Sequence, residues 1–263
     1  HTECVGNVHQ SHSYVRGNWH KESDSSPMLL AKSCHDIDIL QWLLGEKCTR
    51  VQSFGSLSHF CAANKPEGAP EFCAQGCPVE SECPYSALKI YACEKSSYIR
   101  RASKKHNPTE EDVRRVLFES NYGRCVFACD NNVVDNQTTI MQFENGITAT
   151  LRMEAFVKNG GRDIRFFGTE GELELREHEG TITLKKYFGE DTVWKISDLT
   201  DDLEGHGGGD HRMIDELYDI MTGQNPKVAT SIDESIESHY MALAAEESRL
   251  NGGQLIEIAK FRE

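Results

Sequence analysis

Four groups of residues in this chain have the types and spacing that chemistry needs. The first lies on an apolar run, Met28 to Leu44, where Lys32, His35 and Asp36 recur at three- and four-residue intervals and share one stripe of a helix. An imidazole titrates near neutral pH, and a neighbouring ammonium or carboxylate tunes it, as proton transfer requires. A solvated stripe or a satisfied core histidine would use the same residues without chemistry. The second group is Gly205-His206-Gly207-Gly208-Gly209-Asp210-His211. Its glycines let backbone approach a ligand, and Asp210 suits the N-cap of the helix behind it. The third is Cys73, Cys77 and Cys83 in a proline-rich stretch. Three such thiols can ligate zinc, with Cys93, Cys125 or Cys129 as the fourth ligand; reduced, unligated thiols are the other reading. The missing Cys-x2-Cys pairs weigh against an iron–sulfur cluster. The fourth is Ser11 to Trp19. Tyr14, Arg16, Asn18 and Trp19 there offer the hydrogen-bonding forks and flat apolar faces that bind sugars, with Trp19 equally fit for the core.

The elements that would hold these groups follow from periodicity. Ser11 to Trp19 alternates loosely, as a strand does. Ser26 and Pro27 open the helix Met28–Leu44 and Gly45 closes it. Val51 to Phe60 reads as a strand. Asn64 to Pro84, with four prolines, reads as a long loop. A helix opens at Pro108 to Asp112, acidic in its first turn. The period then switches to two over 137–144, 147–156, 163–167, 172–176, 181–187 and 192–196, and Asn145-Gly146, Gly160-Gly161 and Glu179-Gly180 mark turns. Short connections predict antiparallel neighbours. Helices over 210–222 and 232–250 and a short strand over 254–258 complete the chain. The pattern predicts an α+β fold, an open and mostly antiparallel β-sheet with helices packed on one face. No Gly-x-Gly-x-x-Gly follows a strand, so no dinucleotide-binding unit is expected.

Composition narrows the partners. The 263 residues are 38% hydrophobic and 27% charged, enough for a packed core. A net charge of −14 repels phosphate backbones and anionic lipid, so neither nucleic acid nor membrane is expected to bind. No run approaches the roughly 18 apolar residues of a spanning helix. Cys34, Cys48 and Cys61 suit inert thiols of a reduced, cytoplasmic protein. The start at His1-Thr2-Glu3-Cys4 is no signal peptide and lacks Met, so the chain is expected to be a piece of something longer.

Four stretches together carry a resemblance: His12 to Trp19, Leu29 to Gly45, Gly168 to Leu173 and His206 to Asp210. In this order they resemble the glucose–fructose oxidoreductase / inositol dehydrogenase family, over nearly the whole chain. The match fits the C-terminal domain that follows a Rossmann domain there. Cys77 to Ala87 looks like an insertion of one bacterial branch. The resemblance implies that residues 1–263 form a substrate-binding and oligomerisation domain with a Cys/Pro-rich insertion at about 61–108. It implies a sugar or polyol hydroxyl as substrate, NAD or NADP held mainly by the absent Rossmann domain, and a homodimer or homotetramer made through the sheet face. His35 matches the family's general acid/base and Asp38 a recurrent family acid. Arg16, His206 and Asp210 are expected substrate contacts by the same analogy. Where the family often has Asp four residues before the His, this chain has Ala31, with Lys32 beside it to supply a charge. Alone, the chain is expected to be inactive. A redox-assisted glycosidase of the same family and a non-catalytic dimerisation scaffold are the alternatives.

Overall fold

The computed structural model describes residues 1–93, 96–201, 207–224 and 231–263. One sheet organises them. Its strands are β1 (Thr2–Gly6), β2 (Cys48–Ser56), β3 (Asn136–Phe143), β4 (Thr148–Val157), β5 (Gly161–Phe167), β6 (Gly171–Arg176), β7 (Thr181–Lys186), β8 (Thr192–Lys195) and β9 (Ile256–Glu257). They lie in the order β8-β7-β6-β5-β1-β4-β3-β2-β9. Every neighbouring pair is antiparallel except β1 with β4. The helices are α1 (Asn7–His9), α2 (Met28–Leu44), α3 (Ala87–Tyr91), α4 (Ser97–Ser103), α5 (Glu110–Glu119), α6 (Gly209–Thr222), α7 (Ile232–Leu250) and α8 (Ile258–Phe261). The fold is the α+β arrangement that the periodicity predicts.

The core explains why α2 and α7 share a face of the sheet. Leu29, Ile37 and Leu40 of α2 and Met241, Ala242, Ala244 and Ala245 of α7 pack on Val51, Met141, Leu151 and Met153. Alanines on α7 let its backbone approach the strands closely, and the larger side chains of the sheet fill the gap. Ser231 and Glu234 form a capping box that starts α7. On the opposite face Phe54, Ile140 and Phe156 stand exposed.

The structure corrects several local expectations. Ser11 to Trp19 is not a strand; Gln10–Arg16 is a fully buried π-helix, and the strand is the preceding β1. A strand offers two faces, whereas this segment must fill three places: Tyr14 enters the sheet core, Val15 packs with Phe60 and Phe127, and His12 lies among Tyr91, Tyr98 and Tyr122. Helix α2 has the expected bounds, but Pro27 rather than Ser26 is its N-cap residue. Gly208, not Asp210, is the N-cap of α6, and Asp210 lies in the first turn. The insertion is more ordered than its prolines suggest. It carries α3 and α4, whose Ile90, Tyr91 and Ile99 form a small core with Val116 and Leu117 of α5. The turn at Gly160-Gly161 does not join adjacent strands. β1 lies between β4 and β5, so the connection crosses the end of β1. It passes so closely that a Cβ on Gly6 would lie 3.3 Å from the Gly160 nitrogen.

Candidate active-site cleft

That crossing creates a cleft of about 470 Å³ at the C-terminal end of β1. Glu3, Gly6, Asn7 and His9 come from β1 and α1, Lys32 from α2, Lys158 to Arg162 from the β4–β5 connection, and Tyr98 from α4 of the insertion. Its floor at Gly6 and Gly160 is backbone: a Cβ on Gly6 would lie 3.3 Å from the Gly160 nitrogen and one on Gly160 3.2 Å from the Cys4 carbonyl oxygen, so a side chain at either would push the crossing chains apart.

A buried ionic network lies behind one wall. Lys32 Nζ pairs with Glu3 Oε1 at 2.5 Å, and Arg162 Nε lies 3.5 Å from Glu3 Oε2. The same Arg162 Nε donates to Asp36 Oδ1 at 2.7 Å, and His1 Nε2 lies 2.9 Å from that oxygen. Burial, with Asp36 nearby, pushes the Glu3 carboxyl up to about 7, against the pull of Lys32 and Arg162. Glu3 therefore holds its proton over part of the neutral range. Burial, then Lys32 and Arg101, push the His9 imidazole down to about 4, so this wall carries a neutral imidazole. Among the described residues, His1, Glu3 and Asp36 are also a group whose ligand atoms gather within 4.8 Å. Lys32 and Arg162 already supply the positive charge those carboxylates need.

The residues singled out from sequence scatter. Lys32 lines the cleft. His35 stands exposed three residues along α2, its Nδ1 3.5 Å from Cys34 Sγ, and is not among the lining residues. Asp36, expected in the same polar stripe, is wholly buried beneath Arg162. Asp38 lines a different groove, with Trp42, Glu46, Lys47 and Glu144. Arg16 is no cleft residue: it is buried, donating to the carbonyls of Arg124 (2.7 Å) and Tyr85 (2.8 Å). It staples the π-helix to the insertion. Trp19 is half exposed beside Tyr14 and away from the cleft lining. Asp210 is exposed on α6, and His206 lies outside the described residues.

The zinc expectation fails on geometry. Cys73, Cys77, Cys83 and Cys125 do line one small cavity, around Arg16. Their sulfurs are not drawn together as ligands are, for no three of them lie within 4.8 Å of one another. Arg16 Nη2 instead points at Cys73 Sγ (3.8 Å), and a buried cation disfavours a metal ion there. All ten cysteines are free thiols.

Sequence reasoning missed Glu3, Asn7, His9, Tyr98 and Arg162. Of the signals read from sequence only the Gly160-Gly161 pair, expected as a turn, falls at this place.

The comparisons with known proteins agree with this architecture. Residues 2–257 match the family model described as the oxidoreductase family, C-terminal alpha/beta domain. The chain belongs to that family. It is 22% identical over 234 residues to YteT of Bacillus subtilis (strain 168), which is named as an oxidoreductase; the match covers 80% of this chain and 53% of YteT. Levoglucosan dehydrogenase, solved with NADH and levoglucosan, superposes with a TM-score of 0.58 at 12% identity, over 98% of this chain and 57% of that one. An Agrobacterium radiobacter oxidoreductase, solved with NAD+, L-tartaric acid and magnesium, gives 0.56 at 14% identity, over 98% and 56%. A super-repressor mutant of Gal80p from Saccharomyces cerevisiae gives 0.54 at 13%, over 100% and 57%. At these identities the structures share the fold. The chain spans about half the length of these relatives. Among the described residues, no helix is long and apolar enough to cross a membrane.

Proposed function

We propose that this chain is the substrate-binding half of a nicotinamide-dependent oxidoreductase acting on a sugar or polyol hydroxyl. The observation that carries the reading is the cleft itself. It has a backbone floor, a neutral imidazole at His9, the amides of Asn7 and Asn159, a tyrosine ring at Tyr98 and the ammonium of Lys32. Polyhydroxylated rings are held by such a mixture of donors, acceptors and one flat face. Likeness to a levoglucosan dehydrogenase supports the substrate class.

The described residues do not fit a dinucleotide on their own. The parallel pair β1 and β4 is not a βαβ unit, and no glycine fingerprint opens a helix. We therefore assign NAD or NADP to the part of the relatives' length that this chain does not span. Hydride transfer is then the work of that part. The work of this chain is to orient the hydroxyl and to take its proton. His35 is our assignment for that base on the family resemblance: it lies outside the cleft lining, exposed one turn along α2 from Lys32, and an imidazole suits proton transfer at neutral pH. The exposed Phe54, Ile140 and Phe156 on the open sheet face suit a homodimer or homotetramer.

The test uses the full reading frame and follows nicotinamide absorbance against a panel of sugars, polyols and glycosides. Reduction that His35→Ala abolishes is the expected result. Release of free sugar from a glycoside without net reduction would replace this reading with a redox-assisted glycosidase. Silence on both would leave a scaffold.

A further inference from the structure

We infer that α6 is the face on which the cofactor-bearing half of the same polypeptide docks, beside the cleft. The inference rests on the nicotinamide reading above and adds where the two halves meet. Met213, Ile214, Leu217, Tyr218 and Met221 recur at helical spacing and share one face of α6, while Arg212, Asp215 and Asp219 lie on the other. None of the 14 residues of α6 is buried, and those five apolar side chains are 51–79% exposed. A helix of this length is marginal in water by itself and is held by packing of its apolar face, so the stripe calls for a partner. The other long helices, α2 and α7, bury theirs on the sheet.

The place of α6 says which partner. Arg212 Nη2 donates to Thr200 Oγ1 (2.9 Å), which anchors its first turn to the segment after β8. Arg212 and Gly207 line a groove with Lys195, Gly180 and Glu177, and Glu177 also lines the cleft. The start of α6 therefore lies one side chain from the cleft. A nicotinamide must come within about 3–3.5 Å of the carbon it oxidises, so the half that carries it must cover the cleft and meet its rim. A second copy fits this face less well. A stable interface between separate molecules takes about 800 Å² and about 20–30 residues a side, and one face of a single helix supplies a fraction of that. A partner joined through the chain is held at high effective concentration, so a smaller face suffices. The chain spans about half the length of its relatives, which leaves a half of similar size to dock.

The experiment replaces Leu217 by photoreactive p-benzoylphenylalanine in the full reading frame and locates the cross-links by mass spectrometry. Hydrogen exchange of residues 209–222 is measured beside it on the unmodified protein. Adducts within one chain to residues outside these 263 are expected, at a yield that dilution leaves unchanged. The α6 amides are expected to exchange about a hundredfold more slowly than those of an unpacked helix. Leu217→Lys should cut that protection by about tenfold, and Asp215→Lys on the opposite face should leave it unchanged. Covalent dimers whose yield falls on dilution would overturn the inference in favour of a second copy. Amides that exchange as an unpacked helix does, with no adduct outside these residues, would overturn it as well. No step needs a substrate, so the two readings fail separately. Adducts without nicotinamide reduction would sustain the docking while the sugar reading fell, and reduction without adducts would do the reverse.

Discussion

Arg162 Nε donates to Asp36 Oδ1 across 2.7 Å, joining residues 126 apart in sequence. Asp36 is wholly buried on α2, and Arg162 is the second residue of β5, so this pair fixes the helix to the far side of the cleft. Removing one partner of a buried pair leaves an uncompensated charge, which costs about 3 kcal/mol. Asp36→Ala and Arg162→Met should each lower unfolding free energy by about that amount in urea titrations. The double variant should cost clearly less than the sum. Additive losses would show that the two groups are not coupled.

Glu3 gives the cleft a pH dependence of known sign. Its carboxyl is raised from 4.5 to about 7, so the folded state binds the proton more tightly than the unfolded chain. The stability this supplies is complete below about 4.5 and lost as pH rises through about 7. Glu3→Gln lacks the titrating group. Its melting temperature relative to the parent should therefore rise between pH 5 and about pH 7 and level off above that. A constant offset over that range would contradict the assignment.

His12 acts in the opposite direction. Its Nδ1 lies 2.8 Å from the Tyr91 hydroxyl and its ring stacks on Tyr122 at 4.9 Å. Burial first, then Arg101, His9 and Arg16, lower it from 6.5 to about 4. The unfolded chain takes up the proton first, so stability present above pH 6.5 is lost as pH falls toward 4. His12→Phe should cost about 1–2 kcal/mol at pH 7.5 through the lost hydrogen bond, and less at pH 5. Denaturant titrations at the two pH values decide it; an equal cost at both would place the acid sensitivity elsewhere.

Two glycines separate steric from conformational cost. A Cβ on Gly123 would fall 2.1 Å from the Leu117 carbonyl oxygen, so Gly123→Ala must move backbone beside α5. Gly180 has positive φ (+65°) and open space around it. Gly180→Ala should cost about 1–2 kcal/mol, the price of a left-handed alanine. Gly123→Ala should cost more than about 3 kcal/mol or unfold the insertion. Thermal melts of the two variants give the comparison, and equal losses would contradict it.

By itself the sequence determined the long, regular elements. Met28–Leu44 and Ile232–Leu250 have the bounds that capping residues and periodicity announce, because both signals are local. The strands from β3 to β8 were legible for the same reason: alternation and Gly-containing turns act between neighbours in sequence. The family was legible too, from motifs that survive in order along the chain. Tertiary structure alone decided the cleft. Only the placement of β1 between β4 and β5 turns Gly160 into a floor and brings Lys158 and Arg162 to Glu3 and Lys32. It also decided which polar side chains are buried, sending Arg16 to the carbonyls of Tyr85 and Arg124 and Asp36 beneath Arg162. A residue's type states what it can bond; which partner lies within about 3 Å is fixed by strand order, which no local spacing encodes.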